Sequence, residues 1–402
     1  MSKNIALHIY IIGLCYIILS GASCWLTVEM RATYNVIIYS IIILSFFRVK
    51  NKIKNSTGYV NLLIVVLCLS SYFTTNQINI ILVNVLLFLS ISTLFFIDTI
   101  TQKYIMKCIN TVYTILVLLS LIFYLFIYAG FPIPSLGYQV FNQYTFINHI
   151  FCLDSFNYPG KFVGFSLEPG YFSLLNVSFL MLNRFDLRKP CVYVYLLAVL
   201  LSYSLGGYVL AIIGWLIYSY FNTSTNKKKI KFMLIFFISI SLIYEIASEW
   251  NKGHNMINEK ILDRLEYDKE KGIVGNNRDN VMAEAMFTAF FATDKIWFGI
   301  GSEGYLDKFS SIEGFDACSY KVFVVRYGLV YTIIFILAFT LYCIRRSPKN
   351  ISLPVLAIYW LDFIQHGLPF ASLFVPLLLF IETNKTCSIR LKSNKTQKFF
   401  NL

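Results

Sequence analysis

The sequence predicts an all-α polytopic membrane protein of about twelve transmembrane helices, each needing about 20 apolar residues to cross the bilayer core. Composition is the first observation behind this prediction. The 402 residues are 57% hydrophobic and only 14% charged, with mean hydropathy +0.65, where a soluble chain would carry about 25% charge. The second is the layout of apolar segments, at roughly 5–26, 34–47, 59–75, 78–97, 109–130, 168–183, 190–204, 206–221, 232–247, 322–344, 352–366 and 368–382. The third is where the charge falls. With the N-terminus in the cytoplasm, every cytoplasmic segment carries Lys or Arg, the positive-inside pattern.

In chain order, Lys3 precedes the first segment, and no cleavable signal is expected there. Arg48, Lys50, Lys52 and Lys54 follow the second segment, and Lys103 and Lys107 lead into the fifth. Arg184, Arg188 and Lys189 separate the sixth from the seventh. The seventh and eighth are broken at Ser202-Tyr-Ser-Leu-Gly-Gly207, and Lys227 to Lys229 with Lys231 lead into the ninth. Arg345, Arg346 and Lys349 follow the tenth, and the last two turn at His366-Gly367. A Lys-rich cytoplasmic tail, 384–402, closes a single integral membrane domain spanning 1–402 with both termini cytoplasmic. The net charge of +13 therefore reports orientation and attraction to anionic lipid, and no nucleic-acid partner is expected.

Two long external loops are expected, about 131–167 and 248–321. Within the larger, 256–271 reads as a polar helix ended by Gly272 and Gly275. Asp279 to Thr293 reads as a strongly apolar helix, which must pack on the bundle or lie at its surface. Trp297-Phe-Gly-Ile-Gly301 then makes a glycine turn. Cys152 and Cys318 alone among nine cysteines fall clearly in these loops, so a disulfide between them is weighed against two shielded thiols.

The most informative stretch is Lys161-Phe-Val-Gly-Phe-Ser-Leu-Glu-Pro-Gly-Tyr-Phe172. Pro169 suits the first position of a helix and pushes Glu168 into an extended, non-helical conformation. A carboxylate therefore stands at the mouth of an apolar helix, where the helix dipole favours its ionised form. It is read either as a general base for a sugar hydroxyl or as a cap tying loop to helix. The segment after Pro169 is short for a span, so its non-helical end is expected to line a recessed, protein-walled cavity.

Three cations are singled out. Arg278 precedes the apolar loop helix and could hold a diphosphate beside its N-terminus. Lys161 lies seven residues before Glu168, and Arg326 lies just inside the tenth span, where it needs an anionic partner, a cavity or a route to the interface. Asp362 and His366 are four residues apart on one helix face, read as a proton relay, a sugar-binding pair or a structural hydrogen bond. No His or Cys spacing suggests a metal site. No glycine-rich nucleotide loop is present, which argues against a nucleotide-sugar donor.

Together these residues resemble the Wzy-type O-antigen polymerases within the O-antigen ligase and polymerase family. The likeness rests on Lys161, Gly164, Glu168, Pro169, Tyr171 and Phe172, then Arg278, Trp297, Gly299 and Gly301, then Tyr327-Gly328. It covers about 161–335. Lys161 stands where the family usually has Arg, Leu205 stands where a Ser-Arg pair often has its Arg, and Ala317 stands where ligases typically carry His.

The resemblance implies a multi-pass glycosyltransferase of the bacterial inner membrane. Its donor and acceptor would both be undecaprenyl-diphosphate-linked saccharides on the periplasmic side. Glu168 and Arg278 would be catalytic, with Lys161, Arg326, Tyr171, Asp362 and His366 binding substrate. No cofactor or metal is implied, and membrane lipid, a chain-length regulator and a flippase are the further partners. A lipid-linked oligosaccharide flippase and an O-antigen ligase are the competing readings, against which stand the long external loops without internal repeat and Ala317.

Overall fold

The computed structural model describes residues 2–21, 24, 32–49, 58–74, 78–141, 144–223, 225–250, 267–268, 272–273, 281–309, 319–365 and 374–384. The fold is mostly helical, at 78%. The first five helices are α1 (Lys3–Gly21), α2 (Ala32–Val49), α3 (Gly58–Thr74), α4 (Ile78–Ser92) and α5 (Thr99–Tyr128). After a small sheet come α6 (Pro169–Leu182), α7 (Pro190–Leu201), α8 (Leu205–Asn222) and α9 (Asn226–Glu249). Then follow α10 (Val281–Phe291), α11 (Gly301–Lys308), α12 (Ser319–Arg346), α13 (Lys349–Gln365) and α14 (Phe374–Asn384). Each apolar segment of the sequence overlaps one of these helices, the first and last of them in part because residues 22–23, 25–26 and 368–373 lie outside the described residues. Four of them, at Lys3–Ser20, Thr99–Tyr128, Leu205–Asn222 and Tyr320–Arg346, are long and apolar enough to cross a membrane.

Local chemistry sets the boundaries. Helix α5 begins well ahead of its apolar run because Asp98 caps it, accepting from Ile100 N at 3.1 Å and Thr101 N at 3.0 Å. Lys103 and Lys107 are exposed on its first turns, whose other face buries Gln102 and Ile105. Helices α6 and α7 both open on proline, after Glu168 and Lys189 in extended conformation. The break between α7 and α8 falls where the Ser-Gly run predicts it. Ser204 caps α8 by accepting from Gly207 N at 3.3 Å.

Helix α6 is buried along nearly its whole length, so it is the central element around which α7, α8, α13 and α14 pack. An aromatic ladder of Phe323, Tyr327, Phe335, Phe339, Tyr359 and Trp360 joins α12 to α13. Where α6, α12 and α14 end together, Arg346 is only 8% exposed and pairs with Glu382, Nε to Oε1 at 2.6 Å and Nη2 to Oε2 at 3.1 Å. Tyr342 adds a hydroxyl bond to the same carboxylate at 3.0 Å. Arg346 is therefore not one more solvated member of a basic cluster, as the sequence suggests, but half of a buried ion pair.

Three features depart from the sequence reading. The loop 131–167 holds an antiparallel sheet, β1 (Tyr138–Phe141), β2 (Tyr144–Asn148) and β3 (Leu153–Ser155), which no expectation included. The polar helix expected over 256–271 fails at its C-terminal end: Tyr267–Asp268 (β4) pairs with Gly272–Ile273 (β5). Beyond Leu265 the apolar stripe of Ile257, Ile261 and Leu265 stops and 266–271 has little to hold it helical, whereas a Tyr267–Ile273 cross-strand pair does stabilise a hairpin. Its remaining residues, with Cys318, lie outside the described residues, and Cys152 is buried. Third, Arg326 is not inside a regular span, because α12 breaks at Gly328, with φ 81° and ψ 166°.

Candidate functional site

The loop leading to Glu168 dips alongside the helices. Ser120 of α5 donates to the Phe151 carbonyl, and Tyr124 donates to the Gly160 carbonyl at 3.0 Å. At 1.5 Å per residue, Ser120 lies about 12 Å back from the end of α5 at Tyr128. Phe162 N donates to Leu201 O at the end of α7 at 2.9 Å. Cys24, beyond α1, bridges Ser166. The backbone before Glu168 is thus walled by protein on several sides, the condition under which irregular chain is tolerated at depth.

The spacing of Gly164 and Phe172 has a steric cause. Gly164 has φ +58°, and a Cβ there would stand 2.5 Å from the Phe172 ring. Phe172 is fully buried, edge-on to Phe162 and Phe165. The loop folds back so that the glycine receives the ring one turn into α6, which fixes the entry of Glu168. On α8, a Cβ at Gly207 would strike Ser173 Oγ at 1.7 Å, so the Ser-Leu-Gly-Gly turn packs directly on the first turns of α6.

Glu168 has φ −128° and ψ 137°, the extended geometry predicted for a residue before proline, but its side chain makes no capping bond to α6. Glu168 is thus the N-cap residue of α6 through its backbone, its carbonyl accepting from Phe172 N at 3.2 Å, while its side chain is left for another partner. Its Oε1 instead accepts a hydrogen bond from the Tyr144 hydroxyl on β2. The Tyr144 ring lies 6.4 Å from Tyr158, and Lys161 Nζ lies 5.7 Å from the centre of the Tyr158 ring. Carboxylate, two phenols and ammonium are thus linked in one row, all half-buried. They sit on a small core of Phe146, Leu153, Val163 and Leu167. Tyr171 lies one turn beyond Glu168, also half-buried. Sequence reasoning missed Tyr144 and Tyr158. The alternation in Tyr144-Thr-Phe-Ile-Asn148 was the available signal, since it puts Tyr144 and Phe146 on the same face of a strand.

A second constellation surrounds Arg326, on a separate small core of Phe290, Ile296, Tyr305, Phe309, Val322, Val324 and Val325. The guanidinium carbon lies 4.3 Å from the centre of the buried Tyr305 ring on α11, and its Nε is buried without a hydrogen-bond partner. Stacking on an aromatic face leaves the guanidinium edge for an anion. Lys321, 2% exposed, places Nζ 5.7 Å from the Phe287 ring and 5.8 Å from the Tyr320 ring. The glycine turn locks into the α12 break. Ile300 N donates to Val325 O at 2.8 Å and Val330 N donates to Trp297 O at 3.1 Å. These two bonds take up backbone groups that the break at Gly328 removes from the helical ladder. Gly299 and Gly328 meet at the crossing, with no room for a Cβ on either.

Asp362 is fully buried on α13, one turn after Tyr359. Arg278 and His366 lie outside the described residues. The sequence-predicted residues accordingly divide into Lys161, Glu168 and Tyr171 on the loop–α6 unit, Arg326 at the α11–α12 junction, and Asp362 in the interior of α13. No protein-family model, no curated protein and no solved structure matches the chain.

Proposed function

We propose that the chain is a membrane glycosyltransferase that polymerises undecaprenyl-diphosphate-linked oligosaccharide repeat units on the periplasmic face of the bacterial inner membrane. In this reading the apolar helices make about twelve spans with both termini cytoplasmic, each crossing about 30 Å of hydrocarbon. The observation that carries it is Glu168. A carboxylate at a proline-opened helix mouth, not used as a side-chain cap, is held by the Tyr144 phenol in a row that ends at Lys161. That arrangement suits a base that must stay oriented toward a hydroxyl.

The step balances without a redox partner. Glu168 takes the proton of an acceptor sugar hydroxyl. The acceptor hydroxyl oxygen bonds to the anomeric carbon of the donor chain, and the bond from that carbon to the diphosphate oxygen breaks. Undecaprenyl diphosphate leaves with the electron pair. Lys161, Arg278 and Arg326 offset the charge of the diphosphates, while Tyr171 and His366 hold sugar; Asp362, fully buried on α13, has no surface to offer a sugar and is left out of this set. A correctly placed general base contributes about 10²- to 10⁴-fold to such a step.

The test is purified protein in vesicles supplied with defined lipid-linked repeat units. Wild type is expected to yield a ladder, and Glu168→Gln single units only, with the variant protein inserted and stable. A normal ladder from Glu168→Gln refutes the assignment of the base. In cells, loss of the gene should leave single repeat units displayed at the surface. Their absence from the surface would favour a flippase instead.

A further inference from the structure

The sheet before Glu168 has two faces of different character, and the outward one has no role in the site. Register settles which residues share it. Tyr138 pairs with Ile147, Val140 with Thr145, and Ile147 with Asp154, and paired residues lie on the same face. Phe156 N donates to Thr145 O at 2.9 Å, extending that row, and the Phe156 ring lies 5.7 Å from Tyr138. The opposite face carries Phe141, Tyr144, Phe146 and Leu153, packed over the small core beside Glu168. On the outward face, Tyr138 is 65%, Val140 59% and Phe156 56% exposed. That is an apolar patch of the kind that marks an interaction surface.

We propose that this face lies in the lipid headgroup and upper acyl region of the leaflet at which α5 ends. Two observations commit it to lipid. First, the patch continues the outward stripe of α5. Ile115, Leu118, Ile122, Leu125 and Phe126 are exposed at helical spacing on a helix long and apolar enough to cross a membrane. The row passes through Tyr128 and Phe131, the latter edge-on to Phe126, to Leu136 and Tyr138. Second, between Ala129 and Gly160 Asp154 is the sole Asp, Glu, Lys or Arg. A loop that met water or a charged protein surface would not be so depleted. Aromatic and aliphatic side chains without charge are what an interface selects.

Two features limit the depth. β1 is an edge strand, and unpaired backbone groups cannot enter hydrocarbon, so the strand stays at headgroup level. Asp154 stands on the same face on β3, two strands away from β1. The sheet is therefore tilted, with the β1 edge and Phe156 deepest and Asp154 toward water. In effect the sheet is a partition, with lipid against one face and the Tyr144–Glu168 pair behind the other.

The experiment puts p-benzoylphenylalanine in place of Tyr138, Val140 or Asp154, one at a time, in the full chain. Each protein is reconstituted into phosphatidylethanolamine–phosphatidylglycerol vesicles and also irradiated in the membranes of the producing cells. Phospholipid adducts are expected at 138 and 140 in both settings, several-fold above those at 154. Equal yields at the three positions, or none at 138 and 140, overturn the proposal. So does crosslinking in cells mainly to a second copy or to another protein. If the 138 protein fails to accumulate, position 140 carries the same decision. A companion protein with Phe156→Trp should lose more fluorescence than wild type when brominated phospholipid replaces the ordinary lipid. Equal quenching of the two proteins contradicts the placement.

Discussion

Replacing Gly328 by alanine should open the joint between the glycine turn and α12. The backbone there has φ 81° and ψ 166°, a region essentially reserved for glycine, where another residue costs about 1–3 kcal/mol. Sterics add to that. A Cβ on Gly328 would stand 2.3 Å from Trp297 O and 2.5 Å from Phe298 C and Cα. These are main-chain atoms that cannot rotate away, so the crossing must separate. Separation breaks the Val330 N to Trp297 O and Ile300 N to Val325 O bonds, each worth about 1–3 kcal/mol where the freed groups stay buried. Trp297 is half exposed and water replaces part of that loss, so we expect about 3 kcal/mol or more in total. Gly160 is the matched control: its φ is +71° with nothing within 4 Å of a Cβ, so alanine there costs about 1–2 kcal/mol of backbone strain alone. Thermal midpoints in one detergent, with protease susceptibility of the 297–300 turn, measure both. Equal midpoints for the two variants, or an uncut turn in Gly328→Ala, refute the clash as the reason glycine is needed.

Three further outcomes are expected. Gly164→Ala should push Phe172 from its place, because its Cβ would lie 2.5 Å from that ring. Overpacking of about 1–3 kcal/mol should appear as a lowered thermal midpoint together with a slower rate in the assay of the proposed polymerisation. Glu382→Gln or Arg346→Met alone should each cost about 3–5 kcal/mol by stranding a buried charge. The double variant carrying both Glu382→Gln and Arg346→Met should cost less than their sum, as a double-mutant cycle in thermal stability would show. Asp98→Ala should cost about 1 kcal/mol as a lost helix cap. Burial raises the Asp98 carboxyl, but bonds from Thr101 and Ile100 outweigh it and hold it below its ordinary value. A depressed folded value means the stabilisation is present above about pH 4, the ordinary carboxylate range. It fades as pH falls through the folded value, so the gap between wild type and variant should close on acidification.

The candidate site divides between what is local and what is not. Glu168 was legible because Pro169 fixes its neighbour's backbone by covalent sterics, whatever the fold does. What Glu168 touches was not legible: Tyr144 is 24 residues earlier, brought over by a sheet whose short strands carry a weak pattern inside an apolar chain. Arg326 stood out as a charge in an apolar run, but the sequence places it within a span. The break at Gly328 depends on a turn from another helix supplying the missing hydrogen bonds.

By itself, then, the sequence determined the apolar helices among the described residues, the break at Ser204, and the extended Glu168; the turn expected at His366-Gly367 lies outside the described residues. Each of these depends on composition or on the stereochemistry of adjacent residues. Tertiary structure alone decided that Arg346 is buried against Glu382, that Gly164 makes room for Phe172, and that Glu168 is held by a phenol rather than spent on its own helix. Those are contacts between segments far apart in the chain, and their energy exists only once the segments are packed together.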